Sequence, residues 1–194
     1  SYETMINTSV KISTGHLQVQ AEAYQEKKSI RFVIAQPHRI AKVVEQIPEI
    51  AAYTFRGQAF SLVSSADRTY GVVVTGIDPQ KEARVSRLKQ LVREGHFLVG
   101  NDRNQAVVGK LLAQNLRAKI GDELTLLGQG RDGSIAATVV SVKGIFSSGI
   151  DEFDRAAMQI PLTTFQDTFS MDQAVHEIVI IGKSLSDVAA IKAK

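Results

Sequence analysis

Two runs, about Ala52–Ser64 and Tyr70–Ile77, flank the polar turn Ser65-Ala66-Asp67-Arg68, and no other stretch constrains the fold as much. Runs of this kind, bounded by turn residues, read as two strands joined by that turn. Upstream, from His16, Leu17, Val19, Ala21 and Ala23 alternate with Gln18, Gln20 and Glu22, the pattern of a half-buried strand. Between them Pro37 opens a helix whose Ile40, Val43, Val44 and Ile47 form one apolar stripe, and it stops near Pro48. The first 78 residues therefore read strand, helix, strand, strand: an α+β layer. Ahead of it, Met5, Ile6, Val10 and Ile12 have a loose helical spacing.

Downstream, Asp78-Pro79 starts a charged helix expected to run to about Glu94, with Val85, Leu88, Leu91 and Val92 on its apolar face. After the loop 100–104 come a short strand (Ala106–Val108) and a brief helix, Lys110 to Leu116, closed near Gly121. Strands at Glu123–Leu127, Ser134–Phe146 and Ala156–Ile160 follow. A helix from Pro161 to about Phe169, a strand at Glu177–Ile181 and a terminal helix over Leu185–Ala193 complete the reading. A β-rich outer segment is thus inserted into an α+β base. At 194 residues the chain is one domain, or two small ones sharing a core.

Composition closes off several function classes. There is no cysteine, which excludes thiolate zinc, iron–sulfur clusters, thiol catalysis and disulfides. The net charge is only +3, its signs alternate, and the densest basic stretch, Lys81–Arg93, is interrupted by Glu82. There is no Trp, and Phe plus Tyr number 12, too few for a stacking groove, so nucleic acid is not an expected partner. No apolar run approaches the ~20 residues that span a bilayer. Ser1-Tyr2-Glu3-Thr4 shows neither an initiating Met nor a charged-then-apolar leader, and Ala189–Lys194 stops within a helical pattern. Both ends read as those of a segment excised from a longer chain.

The search for chemistry is equally restrictive. Gly128-Gln129-Gly130-Arg131-Asp132-Gly133 matches the dinucleotide fingerprint, but that motif needs a helix next, and Ser134–Val140 is strand-like. It reads as a hairpin loop, with Asp132-Gly133 supplying positive φ. His16, His38, His96 and His176 form no metal-binding pair; His16 and His176 each begin a strand. Asp151-Glu152-Phe153-Asp154 is the densest acidic cluster and lacks calcium-loop spacing. Phe146-Ser147-Ser148-Gly149 is no nucleophile elbow. No catalytic residue, cofactor or metal is expected.

Six stretches taken together carry a resemblance. They are Thr14–Gln20, Gly71–Pro79, Val107–Leu116, Ile120–Leu124, Val142–Phe146 and Met158–Leu162 with Phe165-Gln166 just after. In order and spacing they resemble the extracytoplasmic core domain of MacB/FtsX-like ABC transporter permeases, the group that includes the lipoprotein-releasing LolC and LolE. The resemblance implies a stalk helix over 1–13 continuing from a membrane helix, and a porter-like α/β subdomain over 14–94 and 170–194. Into it a β-rich, sabre-like subdomain, 95–169, is inserted. It implies a periplasmic domain of an inner-membrane protein, partnered by a second permease copy and a cytoplasmic ATPase subunit or domain. Lipoprotein cargo and a periplasmic carrier are further implied partners. The function implied is transmission of ATP-driven movement to a substrate or partner protein, for lipoprotein release or MacB-type efflux, without catalysis. The hairpin loop Gly128–Ser134 is too short for the carrier-capturing hook of LolC-like domains. Ile150, Asp151, Glu152 and Phe153 are the candidate partner-contact loop. A soluble periplasmic lipid- or peptide-binding protein, or a hydrolase with a spatially assembled site, stays open beside this reading.

Overall fold

The structure, a computed structural model, describes residues 17–21, 24, 28–184 and 186–194. The helix expected over 1–13, His16 and the end of the first strand at Glu22 and Ala23 lie outside them. The central hairpin is longer than the sequence pattern suggested. β2 (Ile50–Ser65) and β3 (Arg68–Ile77) pair from Arg56↔Ile77 to Ser65↔Arg68. That register tightens the turn to Ala66 and Asp67, with Ala66 at φ +48°.

The first half of β2 belongs to the base. It pairs antiparallel with β9 (Glu177–Gly182), which pairs in turn with β1 (Leu17–Gln20). Helix α1 (Pro37–Val44) buries Ala41 and Val44 against Phe55, Ile178 and Ile180. Its buried line runs through Pro37, Ala41 and Val44, so Val43, expected in the stripe, is 56% exposed. The sheet meets the helix one position over from the centre of the apolar pattern.

The second half of β2 closes a barrel. Its other strands are β5 (Gln105–Gly109), β6 (Glu123–Gln129), β7 (Ile135–Phe146) and β8 (Ala157–Pro161). Each strand pairs with the next in the ring β2, β3, β8, β5, β7, β6, and β6 returns to β2 through Leu62↔Leu127, Val63↔Leu126 and Ser64↔Thr125. Closure removes the edges that open sheets must otherwise protect. Alternate residues point inward: Ala59 and Val63, Val72 and Val74, Met158 and Ile160, Ala106 and Val108, Val140 and Val142, Leu124 and Leu126. Helix α4 (Lys110–Leu116) adds Leu112, Ala113 and Leu116, and α6 (Leu162–Thr168) adds Phe165.

Glycine makes room for that last ring. Gly57 and Gly76 face one another across the hairpin, and a Cβ on either would collide with Phe165.

The single helix expected from Pro79 to Glu94 is not formed. Helix α2 (Pro79–Val85) is capped by Asp78, whose Oδ1 accepts the Gln80 and Lys81 N–H groups, and it ends at an extended Ser86. One further turn, α3 (Leu88–Leu91), leads into β4 (Val92–Gly95), which pairs with the end of β7. Leu88 remains fully buried beside Phe97, Leu98, Val107 and Phe146. Strand pairing and burial of the following Phe97-Leu98 outweigh the helical periodicity, which is a weak local preference. The last helix, α7, spans Asp187–Lys192.

Candidate functional site

The segment expected as a loop at 150–153 is ordered differently. Ile150 is the N-terminal flank of a short helix, α5 (Asp151–Ala156), so Asp151, Glu152 and Phe153 are its first turn. The reason lies in the next acidic residue. Asp154 is 3% exposed and its carboxylate accepts the Ser148 N–H at 2.9 Å, the Ser148 hydroxyl at 2.6 Å and the Ser147 hydroxyl at 3.3 Å. One inward carboxylate thus fastens the Ser147–Ser148 turn to the helix. Phe153 stacks obliquely on Phe146, centroids 5.4 Å apart, while Ile150, Asp151 and Glu152 stay exposed.

Ile150, Glu152 and Phe153 form one rim of a cleft of about 550 Å³; Asp151 does not line it. The floor of the cleft is the sheet face opposite α1. Register places two polar rows there. Gln20, Glu177 and Arg56 lie side by side on β1, β9 and β2, and Gln58, Thr75 and Gln159 on β2, β3 and β8. All of these except Gln20 line the cleft, together with Gln18, Lys28, Val73, Ala156 and Ala157. The cleft is thus floored by convergent polar groups and edged by the apolar Ile150 and Phe153 together with the charged Glu152 and Lys28.

The charged row is already committed within the protein. Arg56 Nε and Nη2 donate to the two carboxylate oxygens of Glu82 at 3.0 and 2.6 Å, with both side chains buried. Such a fork matches carboxylate geometry, and removal of either partner strands a buried charge. Glu177 accepts from Gln20 Nε2 at 2.8 Å; burial pushes its carboxyl up, opposed by the nearby Arg56 and Lys28. Beneath the neutral row lies His176, fully buried. Its Nδ1 accepts the Gln58 backbone N–H at 2.8 Å, so Nε2 carries the proton and donates to the Ile30 carbonyl at 3.0 Å. Burial holds its pKa below the ordinary histidine value. Tyr24 stacks on its ring at 5.2 Å.

Comparison with known proteins turns this architecture into a family assignment. Residues 3–194 match the model of the MacB-like periplasmic core domain. The chain belongs to that family. Among solved structures it is similar to the extracellular domain of the noncanonic ABC-type transporter YknZ from Gram-positive bacteria. That likeness has a TM-score of 0.65 and 13% identity, covering 89% of this chain and 86% of that one. It is also similar to the periplasmic region of MacB from Actinobacillus actinomycetemcomitans, with a TM-score of 0.62 and 13% identity, covering 91% and 78%. Identity this low speaks for the fold alone. Among curated proteins no match is found.

The MacB-like domain carries the resemblance that its six motifs implied, at the level of the family; the LolC/LolE branch is not distinguished. Its glycine-rich motif is the β6–β7 hairpin: Gly128 and Gln129 end one strand, Gly133 turns at φ +87°, and Ile135 starts the next. Among the described histidines, His38 meets Phe55 edge-on at 5.4 Å and His176 is structural. Of the four residues singled out in the sequence, Ile150, Glu152 and Phe153 line the cleft and Asp151 does not, and none of the floor residues was singled out. A signal was present: Gln159 stands in the otherwise apolar strand Ala157–Pro161, and Arg56 and Gln58 share one face of β2. Which other strands would bring polar residues beside them is a matter of register, which local pattern does not contain.

Proposed function

We propose that this MacB-like domain is the extracytoplasmic part of an ABC transporter permease, engaging substrate or partner proteins and passing on ATP-driven movement without chemistry of its own. The carrying observation is the family match over residues 3–194 on a fold similar to two transporter domains. Its partners are a second permease copy and a cytoplasmic ATPase subunit or domain, with lipoprotein release or MacB-type efflux as the process served. Residues 14–94 and 170–194 act as the porter-like part and 95–169 as the inserted sabre-like part, behind a stalk at 1–13, with β2 and β3 of the former completing the ring of strands that the latter forms. The β2–β3 hairpin supports a mechanical role, because β2 pairs with β9 in the base and with β6 in the barrel. Force applied at either end travels along one covalent strand. Ile150, Asp151, Glu152 and Phe153 form the proposed contact surface.

The test is the parent reading frame, read about 40 residues beyond each end. The expected result is an apolar span of ~20 residues before Ser1, and one soon after Lys194 with two more beyond. A signal peptide followed by a nearby stop codon would overturn the permease reading in favour of a soluble periplasmic binding protein.

A further inference from the structure

Four strands of the barrel turn an uncharged face to solvent. Their inward residues fill the barrel, so the alternate ones point out. Register sets Gly71, Leu62, Leu127 and Ala137 in one row across β3, β2, β6 and β7, with Val73, Phe60 and Ile135 on one side of it and Val139 on the other. Phe60 is 73% exposed and Ile135 82%, while Leu62, Val73, Leu127 and Val139 lie between 42% and 45%. The segments Thr69–Val73, Phe60–Ser64, Thr125–Gln129 and Ile135–Val139 that build this face hold no charged residue, although charged residues make up 22% of the chain. Antiparallel strands with one face in water usually alternate apolar-in with polar-out. Six large apolar side chains in one block instead make a patch on the order of 500 Å², a size that on a monomer is often functional. Phe60 finds no pocket of its own: its ring reaches across to β3 and rests on Gly71, where an added Cβ would come within 2.8 Å of it.

We propose that a second copy of this chain docks on this face about a two-fold axis, with Phe60, Leu62 and Leu127 of each copy at the centre of the contact. Charge selects the occupant. A two-fold contact brings each residue near its own symmetry mate, so a charge close to the axis meets its like and is penalised. A face without charge is what that symmetry demands; a different partner imposes no such demand, because its charges are free to be opposite. Composition agrees, since homodimer interfaces are more apolar than those of other complexes. Size agrees as well. Two such patches together bury on the order of 1,000 Å², before the polar margin of Thr69, Ser64, Thr125 and Gln129 is counted, and that is about the least a specific interface needs. The dimer is therefore weak, and two copies anchored side by side, at an effective concentration of about 1 mM, need no stronger one. The inference rests on the second permease copy proposed above and assigns the surface it uses. Its test reads association of this chain alone, so its failure leaves the membrane-span test untouched.

The experiment is sedimentation equilibrium of the 194-residue chain from micromolar to millimolar concentration. A reversible monomer–dimer equilibrium is expected, half complete below about 1 mM, and not weakened by molar sodium chloride because no ion pair holds it. F60K and L127K should each raise the dimer Kd at least tenfold. V43K, at an equally exposed apolar residue on α1 outside the face, should leave it unchanged. Nuclear Overhauser contacts between labelled and unlabelled wild-type copies, from the Phe60 ring to the Leu62 and Leu127 methyl groups, test the same surface whatever the variants do to folding. A chain still monomeric at millimolar concentration would overturn the proposal and leave the face to a different partner. Dimers formed equally well by F60K and L127K, a loss of the dimer with V43K, or contacts centred elsewhere would overturn it too.

Discussion

His176 illustrates what burial does to a single titratable residue. In the unfolded chain it takes up a proton near pH 6.5; in the fold burial lowers that pKa. Protonation would also turn Nδ1 from an acceptor into a donor facing the Gln58 N–H. The unfolded state therefore binds more protons below pH 6.5, so stability rises with pH through that range and is lost as the pH falls. Glu177 next to it acts oppositely. Its folded pKa lies above 4.5, so the fold holds a proton that the unfolded chain releases, and stability falls as the pH rises above 4.5. The two effects overlap, and E177Q separates them. In that background the urea midpoint should drop from pH 7.5 to pH 5, and H176Q should flatten the slope; a slope unchanged by H176Q would disprove the assignment. Nothing in the sequence marked His176 as buried. It reads as a polar residue at a strand start; the stacked Tyr24, the edge-on Phe165, the Gln58 N–H and the Ile30 carbonyl make it a core residue.

At the scale of elements, helix α6 and the hairpin depend on one another through Phe165, Gly57 and Gly76. The glycines weaken their strands intrinsically, since glycine has no side chain to pack and more freedom to lose. They are tolerated because the phenyl ring fills the space that two Cβ atoms would occupy. G76A should destabilise by about 1–3 kcal/mol through overpacking, and F165A by about 3–5 kcal/mol through cavity formation. The decisive measurement is the double mutant. In the F165A background the vacated space admits the methyl group, so G76A should cost less than half as much by urea denaturation. Additive effects would show that the contact is not what requires the glycine. The elements themselves were mostly legible: the hairpin, the β6–β7 turn and the helices after Pro37, Gly109 and Pro161 follow local periodicity and turn chemistry. The helix over 79–94 was misread because Val85, Leu88, Leu91 and Val92 suit a helical face, while Val92–Gly95 gains more by pairing with β7.

For the whole molecule, β2 is the shared member of base and barrel. A strand held on both sides transmits disorder as readily as order, so the base and the barrel should unfold together. Far-ultraviolet circular dichroism and the fluorescence of the four tyrosines should give coincident urea transitions. Two separated transitions would mean that the hairpin uncouples at its middle, and a rigid coupling role would fail with it. The β2–β6 seam has only three paired positions, Leu62↔Leu127 to Ser64↔Thr125, and closes residues far apart in sequence. Local pattern cannot encode such a closure. Alternation told each strand which face to bury, and glycine and proline told the chain where to turn; those are short-range effects, and the sequence alone determined them together with the family. The ring of six strands, the diversion of 92–95 into the sheet and the rows Gln20–Glu177–Arg56 and Gln58–Thr75–Gln159 are tertiary decisions. Each depends on the register between strands distant in the chain, and register is chosen by the packing of both faces at once.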